Sequence, residues 1–199
     1  NFRIIANPGC YPTSIQIPLI PLLKKKLIDF KNITIDSKSG YSGAGKNYKV
    51  KFNYNNFYSS TYAYAVNNHR HIAEIDQEFK KISNSIFYTF NPHIIPSFRG
   101  ILSSIYINKK KNTSLKRIVS TLKLFYKKDF FIKIYSPNTH MGTGNVLKTN
   151  KCEISVCQTR FKNKIVIFSA IDNLIKGAAG QAIQNMNILF NFNESLGLK

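Results

Sequence analysis

Glu153-Ile154-Ser155-Val156-Cys157-Gln158-Thr159 and, after a short connection, Lys164-Ile165-Val166-Ile167-Phe168-Ser169-Ala170-Ile171 are two runs rich in β-branched and apolar residues. Such composition belongs to strands, and consecutive strands so briefly connected pair antiparallel. A third strand-like run, 130–135, precedes them, set off by the turn residues Pro137-Asn138 and Gly142-Thr143-Gly144. Further back, Leu115, Ile118, Val119, Leu122, Phe125 and Tyr126 recur at helical spacing, with Asn112 or Thr113 as cap. This predicts a packing helix with a lysine-rich outer face. An apolar strand at 101–107 follows a proline-bounded extended loop, Phe90-Asn91-Pro92-His93-Ile94-Ile95-Pro96-Ser97-Phe98-Arg99-Gly100, and another strand alternates over 32–36. Forward of the starting strands, 171–187 predicts a helix whose first turns are all small, a surface for close approach by a helix, another domain or a flat ligand. Helices and strands are mixed, with strands clustered late. The expectation is therefore one α+β domain over 1–199, a mixed, largely antiparallel sheet covered by helices.

Chemistry concentrates at Asn7-Pro8-Gly9-Cys10-Tyr11-Pro12-Thr13, where one thiol stands on a tight turn at the mouth of an amphipathic helix. Pro12 suits the first helical position, and Ile15, Leu19, Leu22, Leu23 and Leu27 follow at helical spacing. Pro18 and Pro21 each remove a donor inside that pattern, predicting a kink or a restart near Pro18. Unpaired N–H groups and the helix dipole favour a thiolate, so the Cys10 pKa is expected to fall from about 8.5 to roughly 7 or below. The alternative is a small buried apolar residue.

The strand at 32–36 runs into Ser37-Lys38-Ser39-Gly40-Tyr41-Ser42-Gly43-Ala44-Gly45-Lys46, a glycine-rich loop without P-loop or dinucleotide spacing. It is read either as a surface turn or as a cradle for an anionic or carbonyl group, with Ser39, Gly40, Ser42 and Gly43 as candidate contacts. Residues 47–65 read as irregular. A second helix begins at His69-Arg70-His71-Ile72-Ala73-Glu74. Here His71 and Glu74, three apart, share a face, so the carboxylate can orient an imidazole, and either His69 or His71 is a candidate base. Arg99 is a candidate grip for carboxylate or phosphate, its alternative being a solvated side chain. His93 reads as structural.

The chain carries 29 Lys+Arg against 9 Asp+Glu, a formal charge of +20. Lysines are scattered, and the abundance of Asn, Ile, Lys, Tyr and Phe matches A+T-rich coding, so no nucleic-acid partner is inferred; an anionic small substrate gains from the same field. No secretory leader and no apolar run long enough for a membrane span is visible. Cys10, Cys152 and Cys157 are odd in number and widely separated, which suits a reducing compartment, the cytoplasm. Cys152 and Cys157, five apart in a strand, point to opposite faces and make no metal site. Beginning at Asn1 without Met, the chain reads as continuing from a longer polypeptide.

Together these blocks resemble N-acetyl-gamma-glutamyl-phosphate reductase, a family related to aspartate-semialdehyde and glyceraldehyde-3-phosphate dehydrogenases. The resemblance rests on residues 7–13, on Ser-Gly-x-Ser-Gly-Ala-Gly at 39–45 and on His-Arg-His-Ile-Ala-Glu-Ile at 69–75. It continues through Asn-Pro-His-x-Ile-Pro with Arg-Gly-Ile at 91–101, and Asp-Asn-Leu-x-Lys-Gly-Ala-Ala-Gly-Gln-Ala at 172–182. It implies a substrate-binding, catalytic domain like the carboxy-terminal domain of glyceraldehyde-3-phosphate dehydrogenase. The implied partners are an amino-terminal Rossmann domain for NADP, absent from this chain, on which helix 174–190 is placed to dock, and further copies in a dimer or tetramer. It further implies that Cys10 attacks the acyl phosphate of N-acetyl-glutamyl 5-phosphate, that NADPH reduces the thioester, and that Asn173, Lys176 and Gly177 return to the nicotinamide side. The rival readings are a cysteine hydrolase, a basic binding protein and an inactive fragment of a decayed gene.

Overall fold

The structure, a computed structural model, describes residues 4–45 and 59–199. Residues 47–58 of the expected irregular stretch, and Lys46, lie outside the described residues. Among the described residues seven strands form one sheet: β1 (Ile33–Gly40), β2 (Tyr62–Ala63), β3 (Tyr88–Ile95), β4 (Ile101–Asn108), β5 (Ile132–Ile134), β6 (Cys152–Gln158) and β7 (Lys164–Ile171). Their order is β2-β3-β1-β4-β7-β6-β5. β6 and β7 pair antiparallel as the opening runs predict, with Val156 opposite Ile167, whereas β1–β3 and β5–β6 are parallel. The sheet is mixed, as expected.

Alternation along the strands sets one face against the helices: Ile35, Ile105 and Ile167 stand in one row and are fully buried. Over that face lies α1 (Cys10–Lys24), contributing Ile15, Leu19, Leu22 and Leu23 to the core, flanked by α2 (Ile72–Lys80) and α3 (Leu115–Phe125). Three buried hydroxyls seat α1 on the sheet: Ser103 Oγ lies 2.8 Å from Ser14 Oγ and 2.7 Å from Ser37 Oγ. Buried polar atoms thus find partners inside the core.

Several boundaries differ from expectation, each for a local reason. α1 is one unbroken helix with both prolines inside and no restart. Pro21 cannot donate to the Ile17 carbonyl, and the Tyr126 hydroxyl donates to it instead at 2.6 Å. β1 runs on through Ser37–Gly40 because β3 and β4 pair with it on both sides, so the glycine-rich loop shortens to a 3-10 turn, Tyr41–Ala44. β3 takes in Pro92 and His93, expected as loop; Pro92 stands in register with Ser37 while its carbonyl accepts from Tyr64 N. Ser114, rather than Asn112 or Thr113, caps α3, accepting from Arg117 N at 3.1 Å. The carboxy-terminal helix starts later than 171: β7 keeps Ile171, a π-helical turn spans Ile175–Ala179, and α4 follows as Gly180–Leu189.

Candidate active site

Gly9 caps α1, so Cys10 is its first residue and Pro12 its third. The turn before Cys10 is held from two sides. Gly9 O accepts from Thr13 N at 3.0 Å and Thr13 Oγ1 at 2.8 Å, and Gly9 N–H donates to Glu74 Oε2 of α2 at 2.8 Å. A carboxylate near a helix start also suits the helix dipole. His71, 6% exposed, sits just ahead of α2, its ring so close to Gly9 that an added Cβ there would lie 2.4 Å from Nε2. From the other side, the π-turn presses Gly177 on Cys10, where an added Cβ would lie 2.5 Å from the cysteine Cβ. Two glycines thus let an imidazole and a helical turn close around one thiol. A cleft of about 280 Å³ opens there, lined by Cys10, Ser42, Gly43, Arg70, His71 and Asn173, with Leu174, Gly177 and Ala178 along one wall.

The electrostatics correct the expected thiolate. Burial pushes the Cys10 thiol up to about 11, against the backbone N–H groups of Tyr11 and Cys10 and the Arg70 charge, which pull it down. One helix start does not offset that desolvation. Burial, and after it the charge of Arg70, holds His71 down at about 4. At neutral pH the cleft therefore contains a thiol and a neutral imidazole.

The two histidines separate by geometry. His69 Nδ1 accepts the His71 backbone N–H at 3.1 Å, which puts its proton on Nε2, 3.3 Å from the Tyr64 hydroxyl. Tyr64 in turn donates to Tyr11 at 3.3 Å, and Tyr11 to the His93 carbonyl at 3.2 Å. His69 thus stands behind the cleft in a chain of phenols and does not line it. His71 lines it; its Nε2 is 3.9 Å from Glu74 Oε1, and its buried Nδ1 has no hydrogen-bond partner among the described residues. Glu74 is closer to Gly9 N–H than to the imidazole it was expected to orient.

Of the loop candidates, Ser42 and Gly43 fold over Cys10, while Ser39 and Gly40 are buried beneath, Ser39 Oγ donating to Gly40 O at 3.0 Å. Asn173 ties this loop down: its Nδ2 donates to Ser42 Oγ at 2.9 Å and its Oδ1 accepts Gly100 N–H at 2.7 Å. Arg99 faces elsewhere. Its Nη1 is 3.4 Å from Oδ2 of the fully buried Asp172, which also accepts Lys148 N, Leu174 N and Ile175 N. Lys176 is buried too, donating to Gln184 Oε1 at 2.7 Å and standing 5.6 Å from the Phe131 ring; burial holds its ammonium below the usual lysine range. Of the three residues expected on the nicotinamide side, Asn173 and Gly177 reach the cleft and Lys176 does not. Arg70 was not singled out from the sequence, although it lies between the two histidines that were.

A mixed sheet carrying a cysteine at a helix start, walled by a neutral imidazole and a glycine turn, defines a domain suited to thiol chemistry. The chain belongs to the semialdehyde dehydrogenase family: the model described as semialdehyde dehydrogenase, dimerisation domain, matches residues 10–173. Curated relatives are N-acetyl-gamma-glutamyl-phosphate reductases, one from Geotalea daltonii 46% identical over 198 residues and one from Thermoanaerobacter pseudethanolicus 43% identical over 201, each match covering 98% of this chain and 57% of the relative. A protein named probable N-acetyl-gamma-glutamyl-phosphate reductase, chloroplastic, from Arabidopsis thaliana is 42% identical, with 49% of its length covered. The chain thus spans about half the length of these relatives. Aspartate semialdehyde dehydrogenase II from Vibrio cholerae shares the fold, with a TM-score of 0.71 at 18% identity over 94% of this chain and 62% of that one. Among the described residues no helix is long and apolar enough to cross a membrane.

Proposed function

We propose that this chain is the thiol-bearing, substrate-binding part of an N-acetyl-gamma-glutamyl-phosphate reductase. The reaction is reduction of N-acetyl-L-glutamyl 5-phosphate by NADPH to N-acetyl-L-glutamate 5-semialdehyde and phosphate. The observation that carries this reading is Cys10 at the first position of α1, closed between Gly177 and the His71 side of one small cleft. Relatives bearing that name over nearly the whole chain support it.

Cys10 is the nucleophile and His71 the proton carrier. As the sulfur bonds to the acyl carbon, His71 takes the thiol proton; the C–O bond to phosphate breaks, phosphate leaves with that electron pair, and His71 hands it the proton. A thioester remains on Cys10. A nicotinamide, when bound, would supply the hydride that reduces this thioester. The described residues fit one edge of that group, because Leu174, Gly177 and Ala178 make an uncharged wall beside Cys10. His71, reloaded from solvent, protonates the carbonyl oxygen, and the resulting thiohemiacetal opens as its hydroxyl proton passes to the departing sulfur. Ser42 and Gly43 hold the substrate over the thiol, and Glu74 positions Gly9 and thereby Cys10. No G-x-G-x-x-G occurs in the 199 residues, so the rest of the dinucleotide falls to that part of the relatives' length which this chain does not span.

In the full-length protein, NADPH oxidation should depend on the acyl phosphate, vanish in Cys10→Ala and persist in Cys152→Ala. Equal loss in both variants, or phosphate release that needs no NADPH, would overturn the assignment, the latter in favour of a cysteine hydrolase.

A further inference from the structure

Arg70 is the cation that the proposed reaction leaves without a task. Among the described residues lining the cleft it is the one guanidinium or ammonium group, His71 being neutral, and no carboxylate shares that lining. The other basic candidates are engaged elsewhere: Arg99 with Asp172, Lys176 with Gln184. Arg70 itself is exposed and has no acidic partner among the described residues. A guanidinium placed in a cleft without a counter-ion is a site awaiting an anion.

Position in the cleft selects which anion. The acyl phosphate carries charge at both ends, a phosphate on the carbon under attack and a carboxylate four carbons further on. Arg70 lines the same small cleft as Cys10 and His71, which puts it at the reacting end, and its charge acts on both groups. Building on the reading of Cys10 as nucleophile, we infer that Arg70 binds the phosphate of the acyl phosphate and stabilises it as it leaves. On the facing wall the Asn173 Nδ2 donor is already engaged, held on Ser42 Oγ at 2.9 Å. When the C–O bond breaks, the electron pair goes to the phosphate oxygen, and negative charge grows where a guanidinium counts most. In the reverse direction the same residue captures inorganic phosphate to cleave the thioester.

The test reads the thiol directly and needs no hydride donor. In the 199-residue chain, Cys10 is alkylated by neutral iodoacetamide and by anionic iodoacetate, with and without inorganic phosphate, in the parent, Arg70→Gln, Arg70→Lys and the control Arg160→Gln. The control removes the same charge from an exposed position in the β6–β7 connection. Arg70→Gln should lower the iodoacetate-to-iodoacetamide rate ratio at least fivefold and abolish protection by phosphate. Arg70→Lys should keep part of both effects, and Arg160→Gln all of them. An unchanged ratio and unchanged protection in Arg70→Gln would overturn the inference, as would an equal fall in Arg160→Gln, which would assign the effect to the overall charge. Phosphate binding followed by its own ³¹P signal separates the two readings. Binding that disappears in Arg70→Gln while Cys10 resists both reagents would sink the nucleophile and keep the anion site; binding indifferent to Arg70 alongside a reactive Cys10 would do the reverse.

Discussion

At Cys10 the proton belongs to sulfur, and the size of the mismatch with His71 shows when it can move. Burial lifts the thiol to about 11 and lowers the imidazole to about 4, so the resting pair is thiol and neutral imidazole, not thiolate and imidazolium. In the proposed reaction, proton transfer then accompanies the sulfur's attack rather than preceding it. The rate of Cys10 alkylation by iodoacetamide should keep climbing with pH beyond 9 in this chain; a plateau near pH 7 would mean that the helix start outweighs burial after all. The same histidines couple folding to acid. Burial lowers His69 and His71 from 6.5 to about 4, so their contribution is complete above pH 6.5 and is lost as pH falls toward 4, where the unfolded chain takes up protons that the folded one refuses. Each can contribute at most about 3 kcal/mol, and solvent access to His69 reduces its share. Urea denaturation at pH 7, 5.5 and 4.5 should show the loss, with a shallower slope in His69→Asn; a slope that variant leaves unaltered would assign acid sensitivity to other groups.

At the scale of elements, α1 shows how a helix keeps two prolines. The Ile17 carbonyl that Pro21 cannot serve is satisfied from α3's end by Tyr126, so Tyr126→Phe should cost about 1–3 kcal/mol in equilibrium unfolding. In a Pro21→Ala background the restored backbone N–H can take that carbonyl, and the same substitution should cost less than half as much; equal costs in both backgrounds would show that the two groups do not compete. This substitute donor lies more than a hundred residues away, which is why the local pattern could not show how the helix accommodates Pro21. β6 and β7 were legible because alternation and a short connection are local facts. Pro92 inside β3 was not, because its place follows from β1 pairing alongside. The π-turn of Ile175–Ala179 was equally invisible: small residues license close approach without stating what approaches, and here it is Cys10. Cys10, Glu74 and the pair His69 and His71 could be picked out by type and spacing, but not which histidine lines the cleft. Arg99 and Arg70 could not be ranked, since only the fold brings buried Asp172 to one and leaves the cleft to the other.

For the whole molecule, the layering leaves one side of the sheet to be accounted for. α1 and α3 cover the face of Ile35, Ile105 and Ile167, whereas the opposite face presents Thr34, Lys38, Leu102 and Phe168 half-buried and Tyr106 44% exposed, over strands β1, β4 and β7. An antiparallel face can meet water, but on this one Leu102, Tyr106 and Phe168 make an apolar centre over β4 and β7, with Asp36 and its ion pair to Lys38 along the β1 side. The matching family model is that of a dimerisation domain, and a second copy laid across this face is the occupant we expect. Two chains of +20 each repel, so association should strengthen as salt screens them. Sedimentation velocity should find twice the 22.7 kDa chain mass at moderate salt, shifting toward a single chain as salt is lowered. Tyr106→Glu, which puts a charge at the apolar centre, should leave the single chain under all conditions. Leu124→Glu, 74% exposed on α3 at the other side of the molecule, should leave the pair intact. If instead Leu124→Glu separates the copies and Tyr106→Glu does not, the contact lies on the helical side, and the sheet's apolar centre must be explained by a different covering.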